Sequence, residues 1–180
     1  MDTPPPLYTI ATPSVSASAQ AFIEVFRRRH DPQADLVAAH FTLVFGCTAI
    51  AEADYQAHVA AIARQTPVLR FRCRYAMLHA GGADGMAYVF LVPDEGHSAL
   101  SRLHDRLYTG VLAPHLRLDI PYVPHITIAS TRDMAAAKAL CDGLNQDGID
   151  IAGELRSLTV GVLRDGRLHT VGEHRLARPA

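Results

Sequence analysis

"HFTLVFG" at residues 40–46 and "HITIAS" at residues 125–130 decide how this chain folds. Each places a histidine and a threonine two apart inside an otherwise apolar run. Side chains of a strand alternate between its faces, so His40 and Thr42 project together while Phe41, Leu43 and Phe45 face a core. His125 and Thr127 pair in the same way against Ile126 and Ile128. A single such pair is what any strand with a solvated face would show. Two pairs, each backed by large apolar residues that demand burial, call for an explanation in the surrounding chain.

The stretches flanking the two motifs repeat each other. "YTIATP" from residue 8 and "YVFLVP" from residue 88 are short β-favouring runs ended by proline, eighty residues apart. A helical pattern follows each: Ala21, Phe22, Val25 and Phe26 ending in "RRRH", where cations suit a helix C-terminus, and Leu100, Leu103, Leu107 and Val111. The histidine-threonine runs come next, eighty-five residues apart, so the second connection holds about five more residues around "APHLRLDIP". Residues 52–64 and 133–145 then read as amphipathic helices with stripes Tyr55, Val59, Ile62 and Met134, Ala137, Cys141, Leu144, closed by Pro67 and Gly148. "LRFRCRYAML" and "ELRSLTVGVL" alternate as half-buried strands, and the turns "GGADG" and "RDG" lead into "MAYVFLV" and "LHTVGEHRL". The expected organisation is one domain over residues 1–180, with pseudo-repeats of about 7–79 and 86–164 and a last strand at about 168–176. Two long units are too few for a solenoid. They predict a two-lobed domain from an internal duplication, in which a pseudo-twofold axis brings both special strands to one central cleft.

Composition agrees with a single folded domain: 180 residues, 49% hydrophobic and 19% charged. Seventeen Lys and Arg against eighteen Asp and Glu give a net charge of −1, so no global positive field gathers long nucleic acid. A nucleic-acid partner is expected to be short or held locally. Cys47, Cys73 and Cys141 are odd in number, lack CxxC spacing and sit in apolar contexts, which reads as reduced, buried thiols. Cys47 has no evident base partner that would make it a nucleophile. The start "MDTPPPLYTI" lacks the basic and apolar runs of a secretory segment, and no run approaches a membrane span, so a soluble, cytoplasmic protein is expected, with no membrane and no obligate protein partner.

Two imidazoles facing across a gap suit acid-base chemistry near neutral pH, one ring neutral and the other protonated. A phosphodiester needs that arrangement. In-line displacement sets the attacking and leaving oxygens on opposite sides of phosphorus, and hydroxyl donors stabilise the charge on the oxygens between them. The spacing of "HFTL" and "PHITIA" resembles the paired H-x-T/S motifs of the 2H phosphoesterase superfamily, which includes 2'-5' RNA ligase-like proteins and cyclic nucleotide phosphodiesterases. The resemblance runs over nearly the whole chain. It implies a bilobal α+β fold with two antiparallel sheets facing a central cleft and helices outside, and metal-free, cofactor-free action on a 2',3'-cyclic or similar phosphodiester of a nucleotide or short RNA end. It also implies that His40 and His125 are catalytic and that Thr42 and Thr127 contact phosphate. Several family members carry arginine five residues after the second histidine; that position here is Ser130, with Arg132 nearby. A nucleotide-binding module with little turnover and a 2'-5' RNA ligase remain the alternatives.

Arg70, Arg72 and Arg74 share one strand face. They draw in a phosphate if that face borders the cleft, Arg72 being the named candidate, or keep an exposed sheet face soluble if it does not. The ten histidines show no HxxxH or HExxH spacing, so no metal site is expected. His97 and His104, two helical turns apart, read as a solvated helix surface. Tyr122 either stacks on a base or packs at the strand entry, with packing preferred. Coupled histidines predict a bell-shaped pH dependence with limbs between about 5 and 8.

Overall fold

The computed structural model describes residues 5–80 and 84–178. In chain order the elements are β1 Leu7–Ala11, β2 Ser14–Val15, α1 Ala17–His30, β3 Phe41–Cys47, α2 Glu52–Arg64, β4 Leu69–Ala80, β5 Ala87–Glu95, α3 His97–Leu107, a 3-10 helix Gly110–His115, β6 Ile126–Thr131, α4 Met134–Asp147, β7 Ile151–Leu155, β8 Ser157–Arg164 and β9 Arg167–Arg175. The four helices expected from the pattern are present, as are the expected strands apart from "ELRSLTVGVL". The "GGADG" turn falls partly on residues 81–83, outside the described residues. "RDG" is a tight hairpin turn, with Asp165 at φ 50° and Gly166 at φ 73°, the left-handed pair that a two-residue loop requires.

The strands form one antiparallel order, β2-β7-β4-β5-β6-β3-β1-β8-β9. The two separate sheets expected from the resemblance are therefore joined, but only at a pinch: β3 and β6 share the single register pair Phe41 with Ile126. On one side of the pinch β1 lies between β3 and β8; on the other β5 lies between β6 and β4. The helices follow the same exchange, α3 packing on β3 and α1 on β6, α2 on β8 and β9, α4 on β4 and β5. "ELRSLTVGVL" is not one strand. It breaks at Arg156, sending β7 to β4 and β8 to β1, because those neighbours lie on opposite sides of the pinch. The end of the chain returns to the start of β4: Ala177 N–H donates to the Thr66 carbonyl (2.8 Å) and Val68 N–H to the Ala177 carbonyl (3.1 Å).

The core is built by the faces the alternation marks. Phe41, Leu43, Ile126 and Ile128 are fully buried, as are Tyr55, Val59, Leu100 and Leu107. The three cysteines are buried and free. Two stripes differ from expectation. In α1 the buried residues are Ile23 and Arg27, so the inner face runs one position on from the expected Phe22 and Phe26, and Phe22 and Val25 are exposed. Val111 and Met134 are also exposed: α3 ends at Leu107, so Val111 falls in the 3-10 helix that follows, and Met134 is the first residue of α4. Gly96 precedes α3 at φ 88°, and a Cβ there would lie 2.4 Å from the Arg70 carbonyl oxygen, so only glycine lets β5 turn into α3 against β4.

Candidate active site

Each motif histidine stands one residue before its strand, His40 ahead of β3 and His125 ahead of β6. Phe41 and Ile126 are register partners, so His40 and Thr42 flank one member of that pair and His125 and Thr127 flank the other. All four lie on the face away from the buried Phe41 and Ile126. The structure thus gathers His40, Thr42, His125 and Thr127 around the pinch, where the two halves of the sheet meet.

The rings are oriented in the same way. His40 Nδ1–H donates to the Ala38 carbonyl (2.7 Å) and His125 Nδ1–H to the Val123 carbonyl (2.6 Å), each two residues back. A carbonyl only accepts, so both neutral rings carry their proton on Nδ1 and present Nε2 with a free lone pair. This is the tautomer a general base needs. Burial pushes the pKa of His125 down to about 4, against an opposing contribution from the Val123 bond, with the charge of His40 and then His79 lowering it further. Burial also lowers that of His40, where the Ala38 bond and Asp31 oppose the effect and Arg27 adds to it.

Three supports of this arrangement have no signature in the motifs. Phe90 of β5, the register partner of Thr127, stacks on the His125 ring at a centroid distance of 3.6 Å and an interplanar angle of 19°. Its exposure is 7%, so it closes one face of that imidazole to water. The signal was present in sequence as the residue eighty positions after Ile10, which is itself the register partner of Thr42. Tyr122 O–H donates to the Thr42 carbonyl (3.1 Å), and its ring stacks on His104 at 3.6 Å, so packing is its role in this structure. His104 is not on a solvated surface: it is 4% exposed and its Nδ1–H donates to the Leu43 carbonyl (2.9 Å), fixing α3 to β3. Arg27 and Asp31 form a buried ion pair (2.8 Å) beside the segment leading to His40. Their i,i+4 spacing was the available signal.

The structure does not bring Arg72 to this group. Its guanidinium is held in a two-point contact with the Asp150 carboxylate (2.6 Å for each bond), and Arg74 pairs with Asp94 and Glu95. Ser130 is nearly buried, and its hydroxyl donates to Asp31 (3.4 Å). Among the described residues no cluster of three or more His, Cys, Asp or Glu is arranged to hold a metal ion, and no helix is long and apolar enough to cross a membrane.

Comparison with known proteins gives the same architecture. E. coli LigT crystallised with ATP superposes with a TM-score of 0.55 at 19% identity, covering 98% of this chain and 99% of that one. A crystal structure described as a phosphoesterase gives 0.58 at 14% identity over 97% and 99%. At these identities the likeness is one of fold. In sequence, a protein of Geobacillus sp. (strain WCH70) named as a phosphoesterase is 29% identical over 152 residues, 81% of this chain and 75% of its own. The family model of the 2'-5' RNA ligase superfamily matches residues 14–167, a span that holds both histidine-threonine motifs and the pinch between them, and the chain belongs to that superfamily.

Proposed function

We propose that this protein is a metal-independent phosphodiesterase that opens a 2',3'-cyclic or related phosphodiester of a nucleotide or RNA end by two-histidine acid-base catalysis. The observation that carries this reading is the pair of Nδ1–H···O=C bonds, which leave Nε2 of both rings available on the face they share with two threonine hydroxyls. In the reaction, a neutral imidazole takes a proton from water as its oxygen bonds to phosphorus. The P–O bond to the ribose oxygen breaks, and the second imidazole, protonated, gives its proton to that leaving oxygen. Thr42 and Thr127 donate hydrogen bonds to the non-bridging oxygens, where charge builds up. E. coli LigT has been crystallised with 3'-AMP and with phosphate, which is compatible with a ligand of this class here. The same reading takes residues 1–180 as one bilobal domain of two repeats, supported by the matched neighbours of β1 and β5 and the exchanged packing of α1 and α3.

The test is a panel of cyclic phosphodiesters assayed with EDTA-treated wild type, His40→Ala and His125→Ala. Each variant should lose on the order of 10²-fold or more in turnover, with the double variant falling little further. Turnover that disappears with EDTA and returns with a divalent metal would defeat the mechanism. A second reading, a nucleotide-binding module with little turnover, is favoured by one observation. The position five residues after the second histidine is the uncharged Ser130, and Arg72 is held by Asp150, so neither position supplies a free cation to a phosphate. Calorimetric binding of linear and cyclic mononucleotides without hydrolysis would select it, and joining of RNA ends would select ligation.

A further inference from the structure

We propose that the buried Arg27–Asp31 pair is the positioning device of the two-histidine site, holding the segment that orients His40 and clipping it to the strand that follows His125. The inference rests on the functional reading above, but its principal readout does not need turnover.

Arg27 and Asp31 are 5% and 6% exposed, and one would expect an apolar pair at such a place if stability were the only requirement. Their remaining hydrogen bonds show what the charges add. Arg27 Nε and Nη2 hold Asp31 Oδ2 (2.9 and 2.8 Å), and Arg27 Nη1 donates to the Val37 carbonyl (2.9 Å). The next carbonyl along, that of Ala38, is the one that receives the Nδ1–H of His40. Asp31 Oδ1 accepts from Gln33 N–H (3.0 Å), at the start of the same segment, and from Ser130 Oγ (3.4 Å) on β6. One ion pair therefore grips both ends of the residue 31–39 segment and reaches the second motif strand. The halves of the sheet share a single β3–β6 register pair and the Tyr122–Thr42 bond, and this clip adds a third, charged link between the two motifs. It also gives Ser130 a role: a short hydroxyl fits between β6 and the Asp31 carboxylate.

The two charges act on His40 in opposite directions, Arg27 lowering its pKa and Asp31 raising it. His125, on the other side, faces His40 and His79. Breaking the pair from either end therefore has opposite consequences. Asp31→Asn leaves the guanidinium uncompensated and should move the NMR titration of His40 to lower pH. Arg27→Met leaves the carboxylate and should move it to higher pH, with partial loss of the fixed Nδ1–H tautomer. Opposite shifts with the Nδ1–H tautomer fully kept in both variants would mean that the pair acts on His40 through charge alone, and that result would overturn the positioning role. Because a lone buried charge can prevent folding, the double variant Arg27→Met/Asp31→Leu supplies the second arm. It should fold, keep KM within about threefold and lose about 10- to 100-fold in kcat on the cyclic phosphodiester that wild type turns over best, as a misplaced catalytic group does. A folded double variant with the kcat and the His40 titration of wild type refutes the positioning role. Absence of turnover in wild type refutes the functional reading instead, and leaves the titration arm to decide this one.

Discussion

Replacing Phe90 by alanine should raise the pKa of His125, and replacing it by leucine should not. The phenyl ring lies flat against the imidazole at 3.6 Å and is itself 93% covered, so water is kept from that face of His125 by an apolar slab with no donor or acceptor. Burial is the leading cause that takes the group from 6.5 to about 4, a preference for the neutral ring of at most about 3 kcal/mol. Alanine opens that face. With water admitted, the pKa should climb by about one unit or more, at a stability cost of about 3 kcal/mol for the lost phenyl ring. Leucine keeps the slab apolar and similar in volume, so the titration should stay near that of wild type and the stability cost under about 1.5 kcal/mol. The assay is an NMR titration of the His125 ring carbons in wild type and both variants, with circular dichroism to confirm folding. Equal shifts in the two variants, or none in either, would refute desolvation by Phe90 as the reason this histidine is neutral.

Three further outcomes follow from the same geometry. Both histidines are lowered from 6.5, His125 to about 4, so the bell of kcat/KM for the proposed reaction should sit on the acid side of the range expected from unperturbed rings, with its acid limb near 4. A flat profile from neutral to alkaline pH would exclude the two-histidine mechanism. Stability should follow the same group: with a folded pKa below the unfolded one, the unfolded chain binds the extra proton, so His125's contribution is intact above about 6.5 and is lost as pH falls toward about 4. Urea unfolding of wild type and His125→Gln across that window should show the smaller decline in the variant. Gly96→Ala should cost about 2–4 kcal/mol, read as a fall in Tm, because its Cβ would meet the Arg70 carbonyl at 2.4 Å in a backbone conformation already unfavourable to alanine. A Tm equal to wild type would mean that the β5-to-α3 turn yields more easily than its contacts indicate.

What could be read from the sequence, and what could not, divides along one physical line. Alternation is a local property, so Phe41, Leu43, Ile126 and Ile128 announced both the strands and their buried faces, and His40, Thr42, His125 and Thr127 came with them. Helix spacing is local too, which is why α2 appears at the residues its stripe marks. Partner choice is not local. Nothing in "ELRSLTVGVL" says that Glu154 will lie beside Arg70 and Thr159 beside Ile10; the break at Arg156 exists because two halves of a sheet compete for one stretch of chain. The same limit explains the surroundings of the site. Arg27 in "RRRH" carries the same signature as its exposed neighbours Arg28 and Arg29, and only the closing of α1 on β6 makes one of the three a buried cation. His104 looked solvated and Arg72 had two open readings for the same reason: each has its partner, Leu43 or Asp150, more than sixty residues away. The groups proposed to react belong to motifs short enough to be read along a strand. The groups that hold them in place come from α1, β5 and the segments before β3 and β6, and they meet only where the fold crosses itself.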